Sequence, residues 1–170
     1  MPTSRTGHWL FVIRTEDRPG AAAAVAVVFS GRGTQIESFV GYGDPLYSAG
    51  RNEGVILITF AAFQSRMEMV RRLLERLEVV RSVECHDYTE EPGLLKTATA
   101  CLSRWDATVE ELLRGFPVSV LRAGDGPGRP AVVVSGRPVE VDRAVAALGE
   151  RGWLVAAAYV LLPPMPTNPA

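Results

Sequence analysis

The order of the expected elements constrains the fold of this chain more than any single motif does. Short apolar, β-branched segments alternate with segments whose apolar residues recur every three or four positions, in the order strand, helix, strand, strand, helix, strand. This order occurs twice, over residues 8–88 and again over residues 94–162, with the polar breaker 89–93 between them. Because the order is that of the split βαβ unit, the sequence predicts an α+β protein of two tandem ferredoxin-like βαββαβ domains.

The boundaries of the elements follow from hydrophobic periodicity and from breakers. We predict strands at 8–15, 35–43, 55–60, 79–88, 94–102, 118–121, 131–135 and 153–162. Helices are predicted at 21–29, after a cap at Ser65, from a cap at Asp106 to Phe116, and at 139–149. Glycine-rich residues 124–128 are expected to form a hairpin loop, and the prolines from Pro163 onward a disordered tail.

Composition excludes several classes of function. The 170 residues carry a net charge of −1, so the chain lacks the basic field that draws a protein to nucleic acid or to an anionic membrane. Residues 1–6 lack the apolar core of a signal peptide, and no apolar stretch is long enough to span a bilayer. We therefore expect a cytoplasmic protein whose partners are small molecules or other proteins.

Catalytic and metal-binding patterns are not evident in the sequence. No nucleophile with a base, paired carboxylates or cofactor fingerprint stands at a useful spacing, so we expect no catalytic residue and no cofactor. His8 and His86 fall at strand ends and are interpreted as structural. Cys85 and Cys101 show no metal-ligand spacing, and we expect both to be buried, reduced thiols.

The turn between the first strand and the first helix is the strongest candidate for a binding site. Pro19 suits the first turn of a helix, and Gly20 has no Cβ to keep a ligand away from the backbone. N–H groups at a helix start favour an anion, so we expect those of Gly20 and Ala21 to bind the carboxylate of a free amino acid. Oxygen atoms of Asp17 and Gln35 would then bind its ammonium group.

We expect the start of the second strand to lie beside this turn within the domain. The predicted effector site is therefore a set of seven residues: Asp17, Pro19, Gly20, Ala21, Gln35, Ile36 and Glu37. The alternative is purely structural, in that Asp17 caps the helix and Pro19-Gly20 turns the chain.

Residues 9–88 resemble an ACT domain, and more narrowly the regulatory (small) subunit of acetolactate synthase. The resemblance is carried by Glu16-Asp17-Arg18-Pro19-Gly20-Ala21, by residues 25–33, by Gln35-Ile36-Glu37-Ser38 and by Asp44-Pro45. Subunits of this family also carry a second, C-terminal ferredoxin-like domain, as residues 94–162 are predicted to form.

The resemblance implies a regulatory subunit without a catalytic site of its own. Such a subunit binds and activates a thiamine-diphosphate-dependent catalytic subunit and makes it sensitive to valine or another branched-chain amino acid. Its ACT domains pair side by side in a homodimer, and the effector binds at that interface.

Two residues depart from the family pattern, because Asp17 and Gln35 stand where asparagine is typical. The charge of Asp17 suits an ammonium group but repels a carboxylate, and Gln35 is one methylene longer in a pocket built for a small ligand. These departures leave two alternatives beside the regulatory subunit. One is a stand-alone amino-acid sensor that acts on another enzyme or regulator, and the other is an interaction module whose pocket no longer binds a ligand.

Overall fold

The structure, a computed structural model, describes residues 6–43, 52–123 and 129–164. The expectations for Asp44-Pro45, for the loop 124–128 and for the tail beyond residue 164 fall outside the described residues. The chain divides into two compact units, residues 1–91 and 92–170. Each unit is described by itself.

The described residues of the first unit form a four-stranded antiparallel sheet and two helices. In chain order these are β1 (Thr6–Glu16), α1 (Ala21–Ser30), β2 (Ile36–Gly43), β3 (Glu53–Phe63), α2 (Gln64–Leu74) and β4 (Val80–Asp87). The strand order in the sheet is β2-β3-β1-β4. Since β1 and β2 are each antiparallel to β3, they run in the same direction, and α1 returns the chain between them.

The core of the first unit lies between the helices and one face of the sheet. Phe11, Phe29 and Phe60 meet there edge to face, with ring centroids 4.9 to 6.2 Å apart. Each helix buries one apolar stripe at the three- and four-residue spacing on which its prediction was based: Ala21, Val25 and Phe29 in α1, and Met67, Val70 and Leu74 in α2. Val28 and Leu77 are partly buried and pack against the same cluster.

The start of each helix in this unit differs from the prediction. Ser65 does not cap α2: the helix begins at Gln64, and its N-cap position is Phe63, without a side-chain cap in the described residues. The N-cap of α1 is Gly20, so Asp17 does not cap this helix and Pro19 precedes the first helical turn. Ser65 therefore lies inside the first helical turn, and the N-cap position falls on Phe63, whose side chain has no hydrogen-bond acceptor.

The second unit repeats the architecture. Its elements are β5 (Leu95–Leu102), α3 (Ala107–Arg114), β6 (Ser119–Ala123), β7 (Ala131–Gly136), α4 (Pro138–Glu150) and β8 (Leu154–Leu162). The described strands have the order β6-β7-β5-β8, which is that of the first sheet. The predicted α+β class with two tandem ferredoxin-like folds is therefore confirmed.

Asp106 caps α3 as predicted. Its carboxylate accepts hydrogen bonds from the N–H groups of Thr108 (3.0 Å) and Val109 (3.2 Å). Partial burial opposes ionisation, but the Val109 N–H and the Arg104 guanidinium outweigh it, so the pKa of Asp106 lies below its usual value. Trp105 and Trp153 are partly buried and pack against the core of the second unit.

Both cysteines are free thiols, but they are half-buried and not fully buried as expected. The Cys85 thiol lies 3.5 Å from the sulfur of Met67, and burial raises its pKa to about 11. Within residues 6–43, 52–123 and 129–164, no helix has the length and apolarity that a membrane crossing requires.

Candidate functional site

The turn between β1 and α1 is open and depends on a glycine. Gly20 has φ +88°, a left-handed conformation that other L-residues adopt only with strain. The N–H of Ala21 donates to the carbonyl of Arg18 at 3.2 Å, and the N–H of Ala24 donates to that of Gly20 at 2.9 Å. No described atom lies within 4 Å of the position that a Cβ on Gly20 would occupy. The turn is therefore accessible to a ligand.

The hydrogen bond to Arg18 changes which N–H groups face outward at this helix start. Because the Ala21 N–H already has a carbonyl partner, the N–H groups of Ala22 and Ala23 are the ones of the first turn for which the described residues provide no acceptor. Both residues are exposed. The sequence alone could have identified these two N–H groups, since Ala22 and Ala23 are the second and third residues after the glycine N-cap.

Asp17 is fixed at the far end of β2, in contact with Gly43. Its N–H donates to the carbonyl of Asn52 at 3.0 Å. A Cβ built on Gly43 would lie 2.7 Å from Oδ2 of Asp17, so the carboxylate occupies the space that this glycine leaves open. The sequence prediction missed Gly43. A glycine at the end of a strand is equally typical of a bulge or a bend, so the signal in the sequence is weak.

Gln35, Ile36 and Glu37 lie at the opposite end of the sheet. Ile36 pairs with Phe60, which pairs with Trp9, whereas the turn follows Glu16. Trp9 and Glu16 are seven residues apart in β1, which corresponds to about 24 Å along a strand. The expectation that the start of β2 lies beside the turn within one domain is therefore wrong. The reason is the parallel direction of β1 and β2.

The start of β2 has its own irregularity. The pairing with β3 shifts between Ile36 and Ser38, which makes Glu37 the extra residue of a β-bulge. Glu37 Oε1 lies 3.5 Å from Nδ1 of His8, and the Gln35 side-chain amide donates to the carbonyl of Ile36 at 3.2 Å. Thr34, which precedes them, is buried, and its hydroxyl has no partner among the described residues.

The described residues give no indication of metal chemistry at either end of the sheet. Across residues 6–43, 52–123 and 129–164, no group of three or more His, Cys, Asp or Glu side chains is arranged to hold a metal ion. The turn offers a helix start whose N–H groups favour an anion. Of the two carboxylates that precede it, that of Glu16 is paired with the Arg18 guanidinium at 3.3 Å, and that of Asp17 lies against Gly43.

Comparison with known proteins identifies the fold. No protein-family model matches the sequence, and no curated protein matches it significantly. Among solved structures, the acetolactate synthase small subunit from Thermotoga maritima superposes with a TM-score of 0.67 at 16% sequence identity, covering 91% of this chain and 96% of that one. This chain has the tandem ACT-type fold. The predicted resemblance is confirmed at the level of the fold.

The regulatory subunit of aspartate kinase from Thermus thermophilus is a more distant match to this tandem ACT-type chain. It has a TM-score of 0.45 and 14% identity, over 85% of this chain and 91% of that one.

Proposed function

We propose that this chain is a non-catalytic regulatory subunit that binds a free amino acid where two copies meet and modulates a thiamine-diphosphate-dependent catalytic subunit of the acetolactate synthase type. The shared fold supports this proposal, since the match extends over 96% of the acetolactate synthase small subunit. The main support for the proposed position of the effector site is the contact between the Asp17 carboxylate and Gly43 at the end of β2.

The geometry of β2 supports an effector site formed by two chains. Among the described strands, β2 lies at one edge of its sheet. If two copies pair antiparallel through this edge, the start of one β2 lies opposite the end of the other. Gln35 and Glu37 of the second copy would then lie next to Gly43, and thus next to Asp17. The two halves of the predicted site, which are far apart in one chain, would be joined in the dimer.

The chemistry of such a site suits a zwitterion. The N–H groups of Ala22 and Ala23 and the positive end of the α1 dipole would bind the carboxylate. The Asp17 carboxylate, together with the Gln35 side chain of the second copy, would bind the ammonium group. In the Ala-rich first turn of α1, residues 21–24 carry no side chain larger than a methyl group, which leaves room for a branched aliphatic side chain.

A rate assay with a catalytic subunit tests this function. The purified chain is added to an acetolactate synthase catalytic subunit, and acetolactate formation is measured with and without valine, leucine or isoleucine. We expect the chain to raise the rate and at least one of these amino acids to change it. A catalytic subunit whose rate is the same with and without the chain, and which does not co-elute with it, would contradict the proposal.

A stand-alone amino-acid sensor is the second candidate, and Asp17 and Gln35 favour it because both differ from the asparagines typical of the family. Calorimetry against the twenty amino acids separates the two candidates. Binding of an amino acid without any effect on the catalytic subunit would support the sensor. The double variant Asp17→Asn/Gln35→Asn is the matched control, and it should shift affinity toward the branched-chain amino acids.

A further inference from the structure

The face of the second sheet that points away from its helices carries no charged residue in the strands that the structure describes. This outer face consists of alternate residues of 95–101, 119–123, 131–135 and 156–162. All of them are leucine, valine, alanine, cysteine, threonine or serine, and none of them is buried. The outward face of an antiparallel sheet is ordinarily polar and solvated, so an uncharged face of this extent indicates a surface that another protein surface covers.

Two hydroxyl groups at the centre of the outer face satisfy each other. The Thr97 and Ser135 hydroxyl oxygens lie 2.9 Å apart, which joins the two central strands β5 and β7 by a hydrogen bond. The Ser135 hydroxyl also lies within reach of the Lys96 carbonyl oxygen, at 3.4 Å. Because these hydroxyls have protein partners, removing water from them costs less than it would for unpaired polar groups.

The outer face is large enough for a specific, reversible contact. Four strands spaced by about 4.8 Å, with about seven residues in the longer ones, cover about 19 Å by 22 Å, or about 400 Å². Two such faces amount to about 800 Å² as a flat projection, and the side chains that stand out from the sheet raise the accessible area to about 1,000 Å², where weak specific interfaces begin.

The sizes of the side chains follow a pattern across the outer face. The strand order β6-β7-β5-β8 places β6 and β8 at the two edges of the described sheet. Strand pairing puts Leu121 of β6 in the same row as Ala158 of β8, and Ser119 of β6 in the same row as Val160 of β8. In both rows a large side chain at one edge is matched by a small one at the other edge, and a third row has alanine at both edges.

We propose that the outer face packs against the outer face of a second copy of this chain, around a two-fold axis parallel to the strands. This axis reverses the strand order of the second sheet while it keeps each row in place, so β6 of one copy lies over β8 of the other. Leu121 then lies over Ala158 of the second copy, and Ser119 lies over Val160. Each large side chain meets a small one, as close packing requires.

The absence of charge argues against other occupants. A charged partner surface would lose its water at this face without gaining an ion pair. A second outer face carries no charge that would have to be desolvated, and the row pattern makes it complementary to the first. The contact lies in the second unit and does not depend on the amino-acid site proposed in the first.

A charge-swap experiment tests the contact between Leu121 and Ala158. Within one copy these residues are three strand spacings apart, or about 14 Å, so charges introduced at the two positions do not pair inside a single chain. Leu121→Lys and Ala158→Asp should each raise the concentration at which the full chain dissociates in sedimentation by at least about tenfold, because each variant buries a charge against an apolar surface. The double variant Leu121→Lys/Ala158→Asp should restore association, since the lysine of one copy then lies over the aspartate of the other.

Val120→Asp is the matched control. Val120 is adjacent to Leu121 in β6, it is 39% exposed, and it pairs with Val134, which belongs to the core on the helix side of the sheet. A charge at this position lies on the opposite face from the proposed contact. This variant should therefore dissociate at the same concentration as the unchanged chain.

The native Cys101 thiol reports on the outer face without any substitution. Cys101 pairs with Ala131 and Ala156 on this face and is half-buried, whereas Cys85 lies in β4 of the first unit. Labelling of each cysteine by N-ethylmaleimide is followed by mass spectrometry at increasing protein concentration. Labelling of Cys101 should slow down as the copies associate, and the rate at Cys85 should not change.

Four results would overturn the proposal. The first is a double variant that dissociates as readily as the single variants, and the second is an equal effect of Val120→Asp. The third is protection of Cys101 by an acetolactate synthase catalytic subunit but not by a higher concentration of the chain, which would assign the outer face to that partner. The fourth is association that Leu121→Lys leaves unchanged, as expected if copies meet only through β2. None of these results alters amino-acid binding at the β1–α1 turn, so failure of this proposal is distinguishable from failure of the proposed function.

Discussion

Replacing Gly20 with aspartate tests whether the start of α1 binds the carboxylate of an effector. The change introduces a side chain and a negative charge at the turn while the rest of the unit is unchanged. Gly20→Asn is the matched control, because asparagine and aspartate tolerate the left-handed conformation about equally and differ in charge.

The cost to folding follows from the conformation of Gly20. At φ +88°, an L-residue is strained by about 1–2 kcal/mol, with asparagine and aspartate at the lower end. Because no described atom lies within 4 Å of the new Cβ, steric crowding adds nothing to this strain. For a unit of 91 residues, about 1 kcal/mol lowers the Tm by about 4–8 °C. Both variants should therefore remain folded.

The cost to binding comes from the charge. Two carboxylates about 4 Å apart repel each other by about 1 kcal/mol in water and about 4 kcal/mol at a protein surface with an effective dielectric constant of about 20. The aspartate variant should therefore bind the effector about 5-fold to 1,000-fold more weakly than the asparagine variant.

Calorimetry and thermal denaturation measure the two effects separately. Titrations with valine, leucine and isoleucine give the dissociation constants, and circular dichroism gives the Tm of each variant. If the aspartate and asparagine variants have equal dissociation constants and similar Tm values, no effector carboxylate lies at the start of α1, and the effector site is refuted.

Four further predictions concern the site, the core and two titrating groups. Gly43→Ala places a Cβ 2.7 Å from Oδ2 of Asp17 and should displace that carboxylate. Calorimetry should then show weaker amino-acid binding at nearly unchanged stability. An affinity equal to that of the unchanged chain would refute the role of the carboxylate. Phe29→Ala empties a fully buried site and should lower the free energy of unfolding by about 3–5 kcal/mol in urea; a loss below about 1 kcal/mol would contradict the packing. Burial raises the pKa of the Cys85 thiol to about 11, so the fraction of reactive thiolate is small below pH 10. The rate of Cys85 alkylation by iodoacetamide should therefore increase about tenfold for each pH unit from 8 to 10. A rate that reaches a plateau below pH 9.5 would contradict this. The folded-state pKa of Asp106 lies below its unfolded value, so the ionised carboxylate stabilises the fold above the unfolded pKa, and this effect is lost as the pH falls through the folded-state pKa. Asp106→Ala should therefore destabilise the chain at pH 7 and have little effect in strong acid. Denaturation at both pH values would show this difference.

Local pattern was sufficient to predict the elements and much of the core. The stripe Ala21, Val25 and Phe29 has the spacing of one helical face, and such a stripe is buried by packing against the core. The cap at Asp106 could also be predicted from the sequence, because its carboxylate accepts hydrogen bonds from N–H groups only two and three residues later, and this contact does not depend on the rest of the fold. Ser65 failed as a cap because β3 extends to Phe63 and leads straight into α2, and the length of a strand depends on its neighbours in the sheet.

The two βαββαβ units and the glycine turn could be predicted from the residues alone, because periodicity, caps and a left-handed glycine are local properties of the chain. The same local signals placed the candidate residues in two segments, 17–21 and 35–37. The folded chain was needed to show that these segments lie at opposite ends of one sheet and that Asp17 instead contacts Gly43. Strand direction and register arise from pairing between residues far apart in sequence, so residues that a linear pattern groups into one site can lie at opposite ends of the folded sheet.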